Sequence, residues 1–179
     1  MVSQLRVDKI VPVDGAPTGG GGGIIQIVST TKTTAFTSSS TSYVDITGLS
    51  ATITPKFNTS KIYMTINLNS SSDTRYAAFQ FVRGSTPIAV GTDATDTREA
   101  VTMTTGSNNV ITYDNLILRN QSMSILDSPA TTSATTYKVQ GKITYSTGNF
   151  YINRTPYTDT TSTYVMRAAS TITLMEVSA

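Results

Sequence analysis

The side chains able to do chemistry in this 179-residue chain are few. There is no histidine and no cysteine, which removes the commonest general bases, the thiolate nucleophile and the usual transition-metal ligands. Ser-His-Asp catalysis is excluded by composition. Of the acidic residues only Glu99 and Glu176 are glutamates, and none of the nine aspartates stands in the context of a paired-carboxylate glycosidase. Asp93, Asp96 and Glu99 are spaced closely enough to surround a hard cation such as calcium, which takes about six to eight oxygens. The same spacing describes a solvated loop paired with Arg98, and no bound metal is expected. The run Gly19, Gly20, Gly21, Gly22 and Gly23 lacks the Gly-Lys-Ser/Thr ending of a phosphate loop and leads towards a strand rather than a helix. One cluster suits recognition: Tyr151, Tyr157 and Tyr164 lie in or beside one long polar segment with Asn153, Arg154 and Arg167. Tyrosine and arginine are favoured where a surface grips a protein or a sugar, although a tyrosine at a strand end also packs simply with its hydroxyl wet. The chain therefore reads as a non-enzymatic protein without cofactors.

The elements positioning these residues are strands. Ser and Thr make up close to a third of the chain while charged residues are 13%. Such a composition is poor in helix formers, and Thr suits the solvent face of a sheet. Ile62, Met64, Ile66 and Leu68 alternate with Lys61, Tyr63, Thr65, Asn67 and Asn69, the period-two signature of a half-buried strand. Tyr137, Val139, Gly141, Ile143 and Tyr145 alternate in the same way with Lys138, Gln140, Lys142 and Thr144; a one-residue slip would bury both lysines, so the register is well specified. Phe79 and Phe81 point inward from a strand over 76–82, and further strands are expected at 24–28, 110–118, 123–126, 150–153 and 171–177, with shorter ones at 88–90 and 100–103. Residues 24–28 and 172–177 are apolar on both faces, which predicts cover on both sides or a subunit contact. Residues 43–46 and 49–54 read as two short strands around a Thr47-Gly48 turn, 32–42 as a loop, and 83–87 as a turn. No apolar series recurs at helical spacing over three turns. The expected fold is all-β: a two-sheet antiparallel β-sandwich, most simply a jelly roll although sandwiches on other Greek keys leave the same trace, preceded by an extended N-terminal peptide.

That peptide divides the chain. Residues 1–14 include Leu5, Val7, Ile10, Val11 and Val13, enough β-branched character for a strand but too short to bury a core. Residues 15–23 form a glycine-rich linker, whose backbone loses much entropy on ordering and packs no side chain. Residues 24–179 are the β-sandwich domain. The reading is an anchor, a leash and a head, against the alternative of an unattached tail.

Charge and hydropathy limit the partners. A net charge of +2 with scattered Lys and Arg offers no patch to neutralise several phosphates, so nucleic acid is not expected. No apolar run approaches the roughly 20 residues that span a bilayer, and no basic-then-apolar leader opens the sequence, so neither membrane insertion nor signal-directed export is expected. The lack of cysteine suits a particle assembled in a reducing cytoplasm and released from it. Four Asn-X-Ser/Thr triplets, at Asn58, Asn69, Asn120 and Asn153, are accidents expected of a chain this rich in hydroxyls.

The opening LRVDKIVPVDGAPTGGGGGIIQI, the phrases SKIYMTI, LDSPATTSATTYKVQ and YINR, and the ending STITLMEV together resemble a group of small structural proteins of tailed bacteriophages, especially phages of marine bacteria. The resemblance implies a β-sandwich head, commonly a homotrimer, carried on the virion as a tail fibre, spike or capsid decoration and fastened through its N-terminus to a tail, connector or capsid protein. It implies assembly in the host cytoplasm and exposure on the released particle, where the head can meet a host surface glycan or protein. Addition of residues 5–13 to a neighbour's sheet edge is the physics such docking would use. The rival readings are a capsid decoration (cement or head-fibre) protein and a carbohydrate-binding module or adhesin, the latter disfavoured by the lack of Trp.

Overall fold

Alternation builds the centre of the molecule. In a computed structural model describing residues 23–73, 76–92, 97, 99–106, 117–144, 147–158, 163 and 165–178, the strand β4 (Lys61–Ser72) buries Ile62, Met64, Ile66 and Leu68 on one side and turns Lys61, Tyr63 and Asn67 to the other. It pairs along one edge with β8 (Arg119–Asp127) and along the other with β11 (Ser170–Val177) and then β10 (Phe150–Ile152). Outside these run β1 (Ile24–Lys32), paired with β11, and β2 (Phe36–Ser38), paired with β10. The second sheet is β3 (Val44–Ile53), β9 (Thr135–Ile143), β5 (Tyr76–Arg83) and, end to end along the last edge of β5, β6 (Thr86–Ile88) and β7 (Met103–Gly106). All pairings are antiparallel.

Three positions are interrupted strands: β1 with β2, β6 with β7, and β10 with β11. Counting each as one gives eight among the described residues, ordered first-eighth-third-sixth in one sheet and second-seventh-fourth-fifth in the other. That is the jelly-roll arrangement, two interleaved Greek keys; the strand spacing predicts the two-sheet sandwich, and the register selects this topology among the Greek keys. No helix occurs among the described residues.

Several local readings need correction. The supposed turn at Thr47-Gly48 is a wide bulge inside the single strand β3: pairing jumps from Asp45↔Gln140 to Ser50↔Lys138. Gly48 takes φ 82° there, a conformation cheap only for glycine, and the extra residues let Ile46 and Leu49 both face the core. The loop expected over 32–42 contains β2. The short strands expected at 88–90 and 100–103 are instead β6, which opens before Ile88 once the chain has reversed at Gly84 (φ 60°), and β7, which begins at Met103. Finally, β1 is not covered on both sides: it lies at a sheet edge, and Ile24 and Ile27 remain 57% exposed. Most of the expected strand 110–118, Tyr145 and the whole anchor 1–14 lie outside the described residues.

The two sheets bury Phe79, Phe81, Tyr137, Val139, Phe150, Ile172 and Leu174 between them, with Phe150 edge-on to Phe79 at 5.6 Å. An ion pair ties them at one end, where Arg83 from β5 places Nη1 2.8 Å from both oxygens of Asp127 on β8. Tyr137 donates its hydroxyl to the same carboxylate at 2.7 Å. Burial first, and then the Asp127 carboxylate, push that phenol's pKa far up.

Glu176, at an inward position of β11, is fully buried. Burial alone would raise its pKa, but hydrogen bonds from Gln26 Nε2 (2.5 Å) and the backbone N–H of Lys56 (2.6 Å) and Phe57 (3.4 Å) outweigh it and hold the carboxyl below its ordinary value of 4.5. A pKa lower in the folded than in the unfolded chain contributes stability above the unfolded value, lost as pH falls through the folded one. Glu176→Gln is therefore expected to destabilise the domain by about 1–3 kcal/mol at neutral pH and to flatten the loss of stability on acidification below the ordinary carboxyl value. Denaturant titrations at neutral and acid pH check both effects.

Candidate functional site

The excursion that carries the predicted recognition cluster springs from a gap in the first sheet. The edge of β4 pairs with β11 as far as Asn67↔Thr171 and resumes with β10 at Ser70↔Ile152. Between those registers the chain leaves at Asn153, runs through residues 154–169 and re-enters at Ser170.

Asn153 closes the gap. It sits at φ 62°, a left-handed conformation that asparagine tolerates better than most residues, and is fully buried. Its Nδ2 donates to the carbonyls of Lys32 (2.7 Å) and Thr34 (3.2 Å), spanning the break between β1 and β2, and its Oδ1 accepts from Ser170 Oγ (2.6 Å). Its N–H donates to Asn69 O (2.8 Å), while Asn69 N–H donates to Ser170 Oγ (2.9 Å). The Asn153 amide, the Lys32 and Thr34 carbonyls and the Ser170 hydroxyl at the break are thus paired with one another, as buried polar groups generally are.

Tyr151 stands on the outer side of β10, opposite Ser71, yet is only 8% exposed, because the start of the excursion covers it. Its hydroxyl donates to Asp73 Oδ2 at 2.7 Å, and burial, reinforced by that carboxylate, pushes its pKa up to about 12. Tyr151 and Asn153 were expected to offer a recognition surface, and this is corrected: both brace the base of the excursion. Arg154 stacks its guanidinium 5.0 Å above the Tyr151 ring and donates Nε to Thr155 O, so it is half-committed to the scaffold. Tyr157 (42% exposed) and Arg167 do face solvent, together with Met166 (62%), and Arg154 and Arg167 form a backbone bridge joining the arms of the excursion. Tyr164 lies outside the described residues. Sequence reasoning missed Asn69, Asp73 and Ser170, which look like ordinary polar residues of a Ser/Asn-rich chain, and Met166, whose exposure nothing in the pattern signals.

The other candidates separate. Asp93 and Asp96 lie outside the described residues, and Glu99 forms an ion pair with Lys142 at 2.7 Å. Among the described residues no three His, Cys, Asp or Glu side chains gather as metal ligands do. Two open hollows flank the second sheet, one lined by Ala78, Thr97, Glu99, Val101, Thr104 and Thr144 and the other by Arg83, Gly84, Pro129, Thr131, Ala134, Thr135 and Thr136. Among their described lining residues there is no aromatic ring on which a sugar would stack. Of the leash only Gly23 is described, its carbonyl accepting from Ser178 N at 3.0 Å. No helix among the described residues is long and apolar enough to cross a membrane.

The strand order makes this chain a jelly-roll β-sandwich protein. No family model matches it and no curated protein matches it. Among solved structures it is similar to that described as the crystal structure of the infectious bursal disease virus VP2 subviral particle, at 12% identity and a TM-score of 0.38, covering 97% of this chain and 44% of the other. The chain thus spans less than half the length of that protein.

Proposed function

We propose that this chain is a non-catalytic structural protein of a bacteriophage virion: a homo-oligomeric jelly-roll appendage of the tail-fibre or spike kind, fastened to another virion protein by residues 1–23 and holding its far end towards the host surface. The observation that carries this reading is polarity. The N-terminal segment enters the sandwich where Ile24 pairs with Val177, at one end of β11. The excursion 154–169 leaves and returns at Ser170, at the other end of the same strand. The two ends are separated by about 23 Å, at roughly 3.3 Å per strand residue, so the points at which the two segments join the head lie at opposite ends of the same strand. A rigid core between them, without a histidine or cysteine to react, suits a mechanical role. The resemblance of several phrases to phage structural proteins supports the setting.

Removing residues 1–22 is expected to leave a folded head with an unchanged melting temperature that no longer incorporates into particles. Incorporation is read by the band intensity of purified virions. Undiminished incorporation would place the docking surface in the sandwich and refute the tether. A neighbour identified as the major capsid protein would assign the chain to capsid decoration, and a tail or connector neighbour to the appendage.

A further inference from the structure

We infer that the outer face of the first sheet is a contact between two copies of this chain, related by a twofold axis along the strands. This goes beyond the virion reading and does not depend on it. Directly opposed residues of antiparallel strands point to the same side, so the registers fix what this face displays. Leu126↔Tyr63, Tyr63↔Met175 and Met175↔Ile27 make one continuous row across β8, β4, β11 and β1. Leu126 and Ile27 are each 57% exposed and Tyr63 37%. With Ile24 beside them, these residues account for half of the large apolar side chains left exposed among the described residues. Apart from Val177 the rest of the face is hydroxyl and amide, and among the described strand positions its only charge is Lys61, whose Nζ is held by Ser128 Oγ at 3.1 Å. An apolar strip within an uncharged surround is the composition of an interface centre rather than of a solvated sheet.

The order of residues argues for a second copy as the occupant. Rotation about an axis parallel to the strands reverses each row onto itself. In the apolar row it sets Leu126 over Ile27 and Tyr63 over Met175, a favourable sulfur–aromatic contact. In a polar row two residues further along the strands it sets Ser124 over Ser29 and Thr65 over Thr173. The same rotation sets Lys61 over Val177 and keeps the two lysines apart. The face thus complements itself in size and chemistry. Four strands about 4.8 Å apart, each presenting about four outward residues over roughly 27 Å, give roughly 500 Å² per copy, and two such faces reach the roughly 1,000 Å² at which a specific association begins. The contact is a modest, reversible dimer.

Sedimentation equilibrium of the full chain over a hundredfold concentration range tests this. The wild type is expected to dimerise. The double variant I27D/L126D, which faces carboxylate with carboxylate at both ends of the row, is expected to dissociate at least tenfold more readily with unchanged melting. The variant I27K/L126D, which in the twofold arrangement faces lysine with carboxylate at both ends, is expected to recover association. A wild type monomeric throughout, an I27D/L126D variant associating like the wild type, or an I27K/L126D variant no better than I27D/L126D would overturn the inference. So would a threefold assembly indifferent to all these changes, or loss of the dimer on removing residues 1–22, which would make the N-terminal segment the occupant. No particle enters the measurement, so its failure and that of the virion reading are distinguishable.

Discussion

Ile66→Asp abolishes cooperative unfolding. Ile66 is fully buried at the middle of β4, opposite Ile172 on one side and Met123 on the other. The substitution forfeits about 2–3 kcal/mol of apolar burial and forces a carboxylate with no partner into the sandwich, either charged at several kcal/mol or protonated through a raised pKa at a similar cost. A domain of this size holds only about 5–15 kcal/mol in reserve. Loss of the near-ultraviolet dichroism and of the thermal transition is the expected outcome. Asn67→Asp, one residue along and exposed, is the control, with an expected change within about 0.5 kcal/mol. Equal effects at the two positions would mean that β4 faces the other way.

The second large effect is expected at Gly141. A methyl group placed there would lie 2.9 Å from two ring carbons of Phe150 and 2.9 Å from one of Phe79, and both rings are fully buried and packed edge to face. Neither ring can swing into solvent. Gly141→Ala is therefore expected to cost about 1–3 kcal/mol by overpacking, against the usual advantage of alanine over glycine in a regular strand. Urea unfolding should show a lower midpoint at unchanged slope, and a midpoint equal to or above the wild type would contradict the packing described.

Both predictions rest on strands whose alternation was plain in the sequence. β4 and β9 each pair one polar face with one apolar face, so period and register agree and the core can be read directly from residues such as Ile62, Met64, Val139 and Ile143. Where the same residue types serve two geometries, the pattern is silent. Thr47-Gly48 reads as a turn because a positive φ at glycine is common to turns and bulges, and only the pairing of β3 with β9 decides. β2 was hidden in a Thr/Ser run because three residues are too few to display a period. The exposure of β1 reflects its place at a sheet edge, a tertiary fact that an apolar run does not encode.

The candidate site divides along the same line. That tyrosines and arginines crowd around residues 151–167 was visible. That Tyr151 and Asn153 are buried, with Tyr157, Met166 and Arg167 left exposed, follows from the broken pairing between β10 and β11 and from the excursion that starts there. That break depends on hydrogen bonds to Lys32, Asn69 and Asp73, far away in the chain. Glu176 carries the same lesson: its isolated acid in an alternating strand looks like a solvent-facing end, whereas the N–H groups of Lys56 and Phe57 and the amide of Gln26 make an inward carboxylate tolerable.

The account turns on what residues 5–13 touch. A photo-crosslinking amino acid at Val7, activated in intact purified virions and followed by mass spectrometry of the linked peptides, addresses this directly. The expected product joins Val7 to a different virion polypeptide. A product joining it only to its own sandwich would contradict the tethered-appendage account.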